Sequence, residues 1–549
     1  MNQSMGKFFS AAIGATVGAV LLGLASCTSI PPSKPVSWSK PEVLVAPSSF
    51  SGVHGLAIDQ KGRLLAGSVV GYELWEVNRT TGSARVMIPA PEGQVDDIAV
   101  GPKEELAWTN YLMGMVRYRE NDSAPMKVLA KDLPGLNSLD FDRRNGKLYA
   151  SQVFLGDAIW ELDVSGAKPP RLVAKDVGGF NGFEVGPDGM LYGPLWFKGE
   201  VVKIDPSNGA VTVINSQFQT PAAANLDGKG NLWVIDTKTG ELSKVELANG
   251  RKTVMKQLKT AIDNLAIAPD GTIYVSNMAD NGIDAYNPAT GEVRNLTSGK
   301  LAVPAGLRYA DGSLYVADIF AFRKVDANSG AVTDLARMQA SDMEYPFGVG
   351  ISKRRITLTS WFTGTLQVID RATMKTDTMV HGFKAPMDSI PMDDGSVLVI
   401  EIATGNLLRV SGAGFKEQKV VAAGLAGPVQ MTMGSDGAVY VTEAAGKLTR
   451  VNLTDGSKTA IAEGLLLPEG VAQTPWGSFI VAETAAKRLV EIDANGSKRT
   501  IAENLPIGLP AGPGMPPPFV ATGVAVDPKG VIYFSADRNN AIYRITPQR

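Results

Sequence analysis

The chain has 549 residues with 53 basic and 55 acidic side chains, a formal charge of −2, 59 glycines, 33 prolines and one cysteine. So even a charge balance provides no field to hold nucleic acid, and a lone cysteine rules out an intrachain disulfide or a cysteine-built metal site. The length exceeds what one hydrophobic core serves, so two domains are expected.

At the N-terminus, Lys7 precedes an uncharged run of apolar and small residues, 8–24, which ends in Leu24-Ala25-Ser26-Cys27. A charged start, a short apolar core and small residues at its end make a secretory signal, too short to serve as a membrane span. The last four residues resemble the lipobox of bacterial lipoproteins. That resemblance implies a signal peptide over 1–26 and lipidation of Cys27. With Thr28 next, not Asp, it also implies an outer-membrane address facing the periplasm, with this anchor as the only membrane contact. Residues 27–41, with Pro31, Pro32, Pro35 and Pro41, read as a tether.

From there one phrase recurs: a small or polar residue, an alternating apolar strand, a turn and a second strand. It starts at His54-Gly55, Asp96-Asp97, Asn137-Ser138, Asn181-Gly182, Ala222-Ala223 and Asp263-Asn264. It starts again at Ala305-Gly306, Phe347-Gly348, Met387-Asp388, Val429-Gln430, Glu469-Gly470 and Thr522-Gly523. The starts are 40–44 residues apart, except for 53 before Thr522. A period near 42 with four short strands is that of a propeller blade. Asp188-Gly189, Asp270-Gly271, Asp394-Gly395 and Asp436-Gly437 mark hairpins between first and second strands. The fold class expected is therefore all-β: twelve four-stranded blades forming two six-bladed β-propellers in tandem, over 42–290 and 291–549. A seven-plus-five division is the alternative. The last repeat stops after three strands, and residues 42–46 resemble its missing fourth; the sequence leaves open which ring they complete.

In a propeller the residue just before each inner strand points at the mouth of the central channel. Ring one then presents His54, Asp96, Asn137, Asn181, Ala222 and Asp263, whereas ring two presents Ala305, Phe347, Met387, Val429, Glu469 and Thr522. The first mouth is polar. The second is apolar and reads as plugged by Phe347, Met387 and Val429, with Glu469 and Asp388 as isolated polar contacts. Converging carboxylate and amide oxygens are what Ca²⁺ takes. Each such residue also has a local reading, since Asn and Asp before a strand often cap only their own turn. Most tryptophans read as blade packing, but Trp196 and Trp361 follow second strands, where a side chain can line a pocket.

Over both halves, most strongly over 130–280, the chain resembles the gluconolactonase, SMP-30 and paraoxonase group of six-bladed, NHL-type propellers. Asn181-Gly182 with Asp188-Gly189, Ile262-Asp263-Asn264-Leu265, Leu136-Asn137, Asp96-Asp97 and Val53-His54-Gly55 carry the resemblance. It implies a Ca²⁺-dependent lactonase or esterase. The metal would sit on Asn137, Asn181, Asp263, Asn264 and Asp97, and Asp96, Asp263 or His54 would activate water. The residue types match the family but their order does not: the acidic pair follows His54 by one blade, and Ala222 stands between Asn181 and Asp263. With only His54 and His381, no multi-histidine metal site can be assembled, and no nucleophile elbow, phosphate loop or dinucleotide fingerprint is present. The competing expectation is a non-enzymatic periplasmic scaffold that binds a protein or glycan partner. Its support is the Pro/Gly-rich stretch 505–519, which overhangs the mouth of ring two as a lid or docking loop.

Overall fold

The computed structural model describes residues 33–512, 515 and 518–548. The signal segment, Cys27, Pro516 and Pro517 lie outside the described residues.

Among the described residues the chain forms twelve four-stranded antiparallel sheets and one two-stranded sheet, with only two short 3-10 turns, Ala413–Phe415 and Thr484–Ala486. No described helix is long and apolar enough to cross a membrane. Each four-stranded sheet is one blade, numbered 1 to 12 by its inner strand, from Val53–Ile58 in blade 1 to Val524–Val526 in blade 12. Second strands such as Leu64–Ser68, Leu191–Leu195 and Ile273–Asn277 are buried at every residue, because neighbouring blades cover both faces. Outer strands such as Val211–Asn215 face solvent and carry the polar share of the pattern. The Asp-Gly hairpins work by division of labour. Gly189, Gly271, Gly395 and Gly437 take positive φ, while Asp188, Asp270, Asp394 and Asp436 accept the N–H two residues on.

Inner strand Val53–Ile58 lies against Ile262–Ile267, and Leu307–Ala310 lies against Val524–Val526, so blades 1–6 and blades 7–12 each close into a ring. The sequence-based boundaries shift. Glu42–Val45 pairs with Ala541–Ile545, in register Glu42↔Arg544, and is therefore the outermost strand of blade 12 in ring two, not the first strand of ring one. Blade 6 runs past residue 290 to its outer strand Glu292–Thr297. Borrowing a strand from the other end of the chain leaves blade 12 with no three-stranded edge open. From residue 33 the stretch read as a tether lies along blades 11 and 12. Ser37–Trp38 pairs with Pro547–Gln548, and Trp38 packs on Trp476 at 5.9 Å.

The rings also share a core. Val69, Val70 and Met278 of ring one pack in one cluster with Ile319, Phe320 and Phe347 of ring two and with Phe519. Arg323, buried in ring two, donates to Asp318 at 2.9 Å and to the backbone oxygen of Ala279 in ring one. Asp318 in turn accepts the N–H groups of Ala302 and Val303, in the segment joining the rings. Arg337 reaches Asn277, Asp280 and the Thr260 carbonyl of ring one. The mouth faces of the two rings are thereby held against each other.

Candidate active site: the chamber between the rings

The mouth residues owe their direction to irregular pairing. In blades 1, 3, 5 and 6 the register between inner and second strands slips, between Val53 and Leu56, Leu136 and Leu139, Pro221 and Ala223, and Ile262 and Leu265. His54, Asn137, Ala222 and Asp263 sit in those bulges, which turn a side chain out of the pleat. Asp96 precedes its strand and is pinned by its backbone, which donates to the Thr109 carbonyl at 3.1 Å and accepts Gly55 N–H at 2.7 Å. Asn181 is held similarly, by its N–H to the Pro194 carbonyl at 3.0 Å.

His54, Asp96, Asn137, Asn181 and Asp263 all line one cavity, about 810 Å³ when the open solvent at its mouth is included. Its far wall is ring two: Phe320, Tyr345, Phe347, Trp361 and Phe362, joined by Phe519 at the end of the Pro-rich stretch. Ring one adds Tyr111, Phe154 and Trp196. The aromatics form a belt of edge contacts, among them Phe154–Trp196 at 5.2 Å and Tyr345–Phe362 at 5.5 Å. At the rim Phe154 and Phe197 are exposed. No lysine or arginine is among the described residues lining the chamber.

Asp96 is only 7% exposed, and no described group donates a hydrogen bond to its carboxylate. Burial first, then repulsion from Asp263 and Asp97, pushes it well above the usual carboxylate range. Burial also raises Asp263, against the pull of nearby His54. The same burial, with the two carboxylates close by, raises the Tyr345 phenol. His54 Nδ1 lies 3.0 Å from the Gly52 carbonyl, which can only accept, so Nδ1 carries the proton. The imidazole packs edge-on to Phe320 at 5.2 Å.

The expected metal set is not brought together. Asn137, Asn181 and Asp263 line the chamber, but Asp97 and Asn264 line a second cavity, in the ring-one channel beneath it. There Asn264 donates to Asp97 at 3.0 Å, reaching from blade 6 to blade 2. Asp97 also accepts the N–H groups of Ile98 and Leu139. Asp96 and Asp97 are sequence neighbours, and successive side chains of extended backbone point to opposite sides. The Ser138 hydroxyl lies 3.1 Å from both Asn137 Oδ1 and Asn181 Oδ1 and shares its one proton between them, a bridge between blades that sequence reasoning missed; Asn181 Oδ1 also accepts the Gly182 N–H at 2.9 Å. Ca²⁺ takes six to eight oxygens about one point; these donors do not fit it. Among the described residues no group of three or more His, Cys, Asp and Glu side chains could hold a metal ion.

Ring two behaves as its sequence suggests in part. Met387 and Val429 are buried in its core, whereas Phe347 turns to the chamber. Asp388 pairs with Arg308, and Glu469 accepts the Thr484 hydroxyl and Thr522 N–H. Trp196 and Trp361 do line a pocket, and Trp361 donates to the Phe519 carbonyl at 3.1 Å. Tyr345, Phe320 and Phe362 had no sequence signal, since only the apposition of two rings gives them a role.

No family model matches the chain, and no curated protein matches it. Among solved structures it is similar to virginiamycin B lyase from Staphylococcus aureus, at 17% identity over 59% of this chain and 94% of that one, with a TM-score of 0.32. It is similar also to a streptogramin B lyase, at 14% identity over 59% of this chain and 93% of that one, TM-score 0.33. A third is the extracellular domain of a B. thetaiotaomicron protein named as a one component system, at 12% identity over 93% of this chain and 84% of that one, TM-score 0.34. At such identities and TM-scores the likeness carries no activity over to this chain.

Proposed function

We propose that the protein is an exported hydrolase of small esters or lactones, anchored through Cys27 at the outer membrane, with the chamber between the rings as its site. The observation that carries this reading is the pair of carboxyls, Asp96 buried and Asp263 half-buried, in a cavity walled by both rings and lined by no lysine or arginine, with His54 beside Asp263. Carboxyl groups raised above their usual range in a cleft point to acid–base chemistry. In this reading Asp96, the more strongly raised of the two, keeps its proton while Asp263 is ionised. The ionised partner accepts a proton from water as its oxygen adds to the acyl carbon. The protonated partner donates to the alkoxide as the C–O bond breaks, giving acid and alcohol and regenerating the pair. His54, proton on Nδ1, presents Nε2 as acceptor for a substrate hydroxyl or the same water. The oxygen donors expected to hold calcium are divided between two cavities, so the protein's own carboxyls carry each proton in this reading.

The test is hydrolysis of a panel of aryl esters and lactones by the full chain, in buffer with chelator. Asp96→Asn and Asp263→Asn are each expected to lose about 10²–10⁴-fold in kcat, the usual worth of a positioned acid or base. Absence of any turnover by the wild type, or unchanged rates in both variants, removes the proposal. Loss of activity in chelator with rescue by Ca²⁺ would return the metal reading. Binding without turnover would leave a non-enzymatic ligand receptor.

A further inference from the structure

We propose that the chamber selects an organic cation, an amine or quaternary ammonium carried on an apolar body; this rests on the chamber being the ligand site. The first support is how the chain treats its other buried acids. Asp318 has Arg323, Asp388 has Arg308, and Glu491 has Arg499. Asp236 and Asp537 accept backbone N–H groups. Among the described residues, Asp96 is the buried carboxylate that accepts no hydrogen bond from the protein, and it lines the chamber. A buried charge is tolerated when something pairs with it. Here the pairing group is left to the ligand.

The second support is the wall. Tyr111, Trp196, Phe320, Tyr345 and Trp361 line the same chamber as the two carboxylates, and aromatic faces attract a cation that has shed its water. A hydrated inorganic ion needs its lost water replaced by oxygens, whereas here Asn181 Oδ1 accepts the Gly182 N–H and shares the Ser138 proton with Asn137 Oδ1. An alkylammonium brings its own apolar surface and asks only for negative charge and aromatic contact. An anionic ligand would meet two carboxylates and no lysine or arginine.

The experiment compares phenyltrimethylammonium with its neutral isostere tert-butylbenzene, titrated into the full chain and followed by tryptophan fluorescence. The ammonium is expected to bind about 10-fold or more tightly than the isostere, the scale of a desolvated cation–π contact with a counter-charge. In the double variant Asp96→Asn, Asp263→Asn that preference is expected to vanish or reverse, with tert-butylbenzene binding more tightly than before; its binding also reports that the variant is folded. Equal or stronger binding of tert-butylbenzene to the wild type overturns the cation inference and leaves the chamber as a ligand site. If neither probe binds, both readings fall.

Discussion

Asp96 and Asp97 stand side by side in the chain and do opposite work. Asp96 faces the chamber with no hydrogen-bond donor, while Asp97 braces blades 2, 3 and 6 from inside the channel. One rule, the residue before each inner strand, suffices to find the five polar mouth positions from sequence. Grouping their neighbours Asp97 and Asn264 with them ignored the strand's two-residue period. The inward acids carry a pH signature. Burial raises Asp97 to about 7, Glu184 to about 7 and Asp140 to about 6. Folded values above the unfolded ones mean that the folded state binds more protons between about pH 4 and 7, so stability is fullest below that window and falls as pH rises through it. The melting temperature is expected to drop from pH 5 to pH 8. A flat or rising profile in thermal melts would count against burial as the dominant effect.

At the scale of the strand, a single hydroxyl on the second strand of blades 2, 8, 10 and 12 ties each to the next blade. Thr109 accepts Asp97 N–H at 2.9 Å and donates to the Asn137 carbonyl of the next blade at 2.6 Å. Ser535 repeats this, receiving Gly523 N–H at 2.7 Å and donating to the Ala305 carbonyl at 2.7 Å, which seals ring two. The period of the repeats made blade number and strand order legible, because each blade solves the same burial problem. The missing fourth strand was legible too, but not its destination, since pairing between chain ends depends on how rings close and leaves no mark on local pattern. Removing residues up to 46 strips blade 12 of Glu42–Val45. Ring two is then expected to melt earlier and ring one unchanged, read as a split of the transition in calorimetry. A single unshifted transition would contradict that closure.

Over the whole molecule, the proposed function rests on two rings being clamped mouth to mouth. Arg323 is central: it joins Asp318, which holds the inter-ring segment, to the Ala279 carbonyl of ring one. Arg323→Met leaves the buried Asp318 carboxylate uncompensated and is expected to cost about 3–5 kcal/mol. In limited proteolysis the variant should be cut between the rings, near residues 298–306; resistance equal to wild type would show the clamp lies elsewhere. Ring two's share of the chamber was illegible because an apolar mouth reads as a plug until another ring is placed against it. The most direct measurement is therefore ester hydrolysis by a variant altered only in ring two. Tyr345 lies across the chamber from the carboxylates, near enough for both to raise its phenol. A site composed of both rings predicts that Tyr345→Ala, folded by its melting curve, loses about 10-fold or more in kcat/KM, about 1.4 kcal/mol. Wild-type activity in that variant would contradict the shared chamber and return the chemistry to ring one alone.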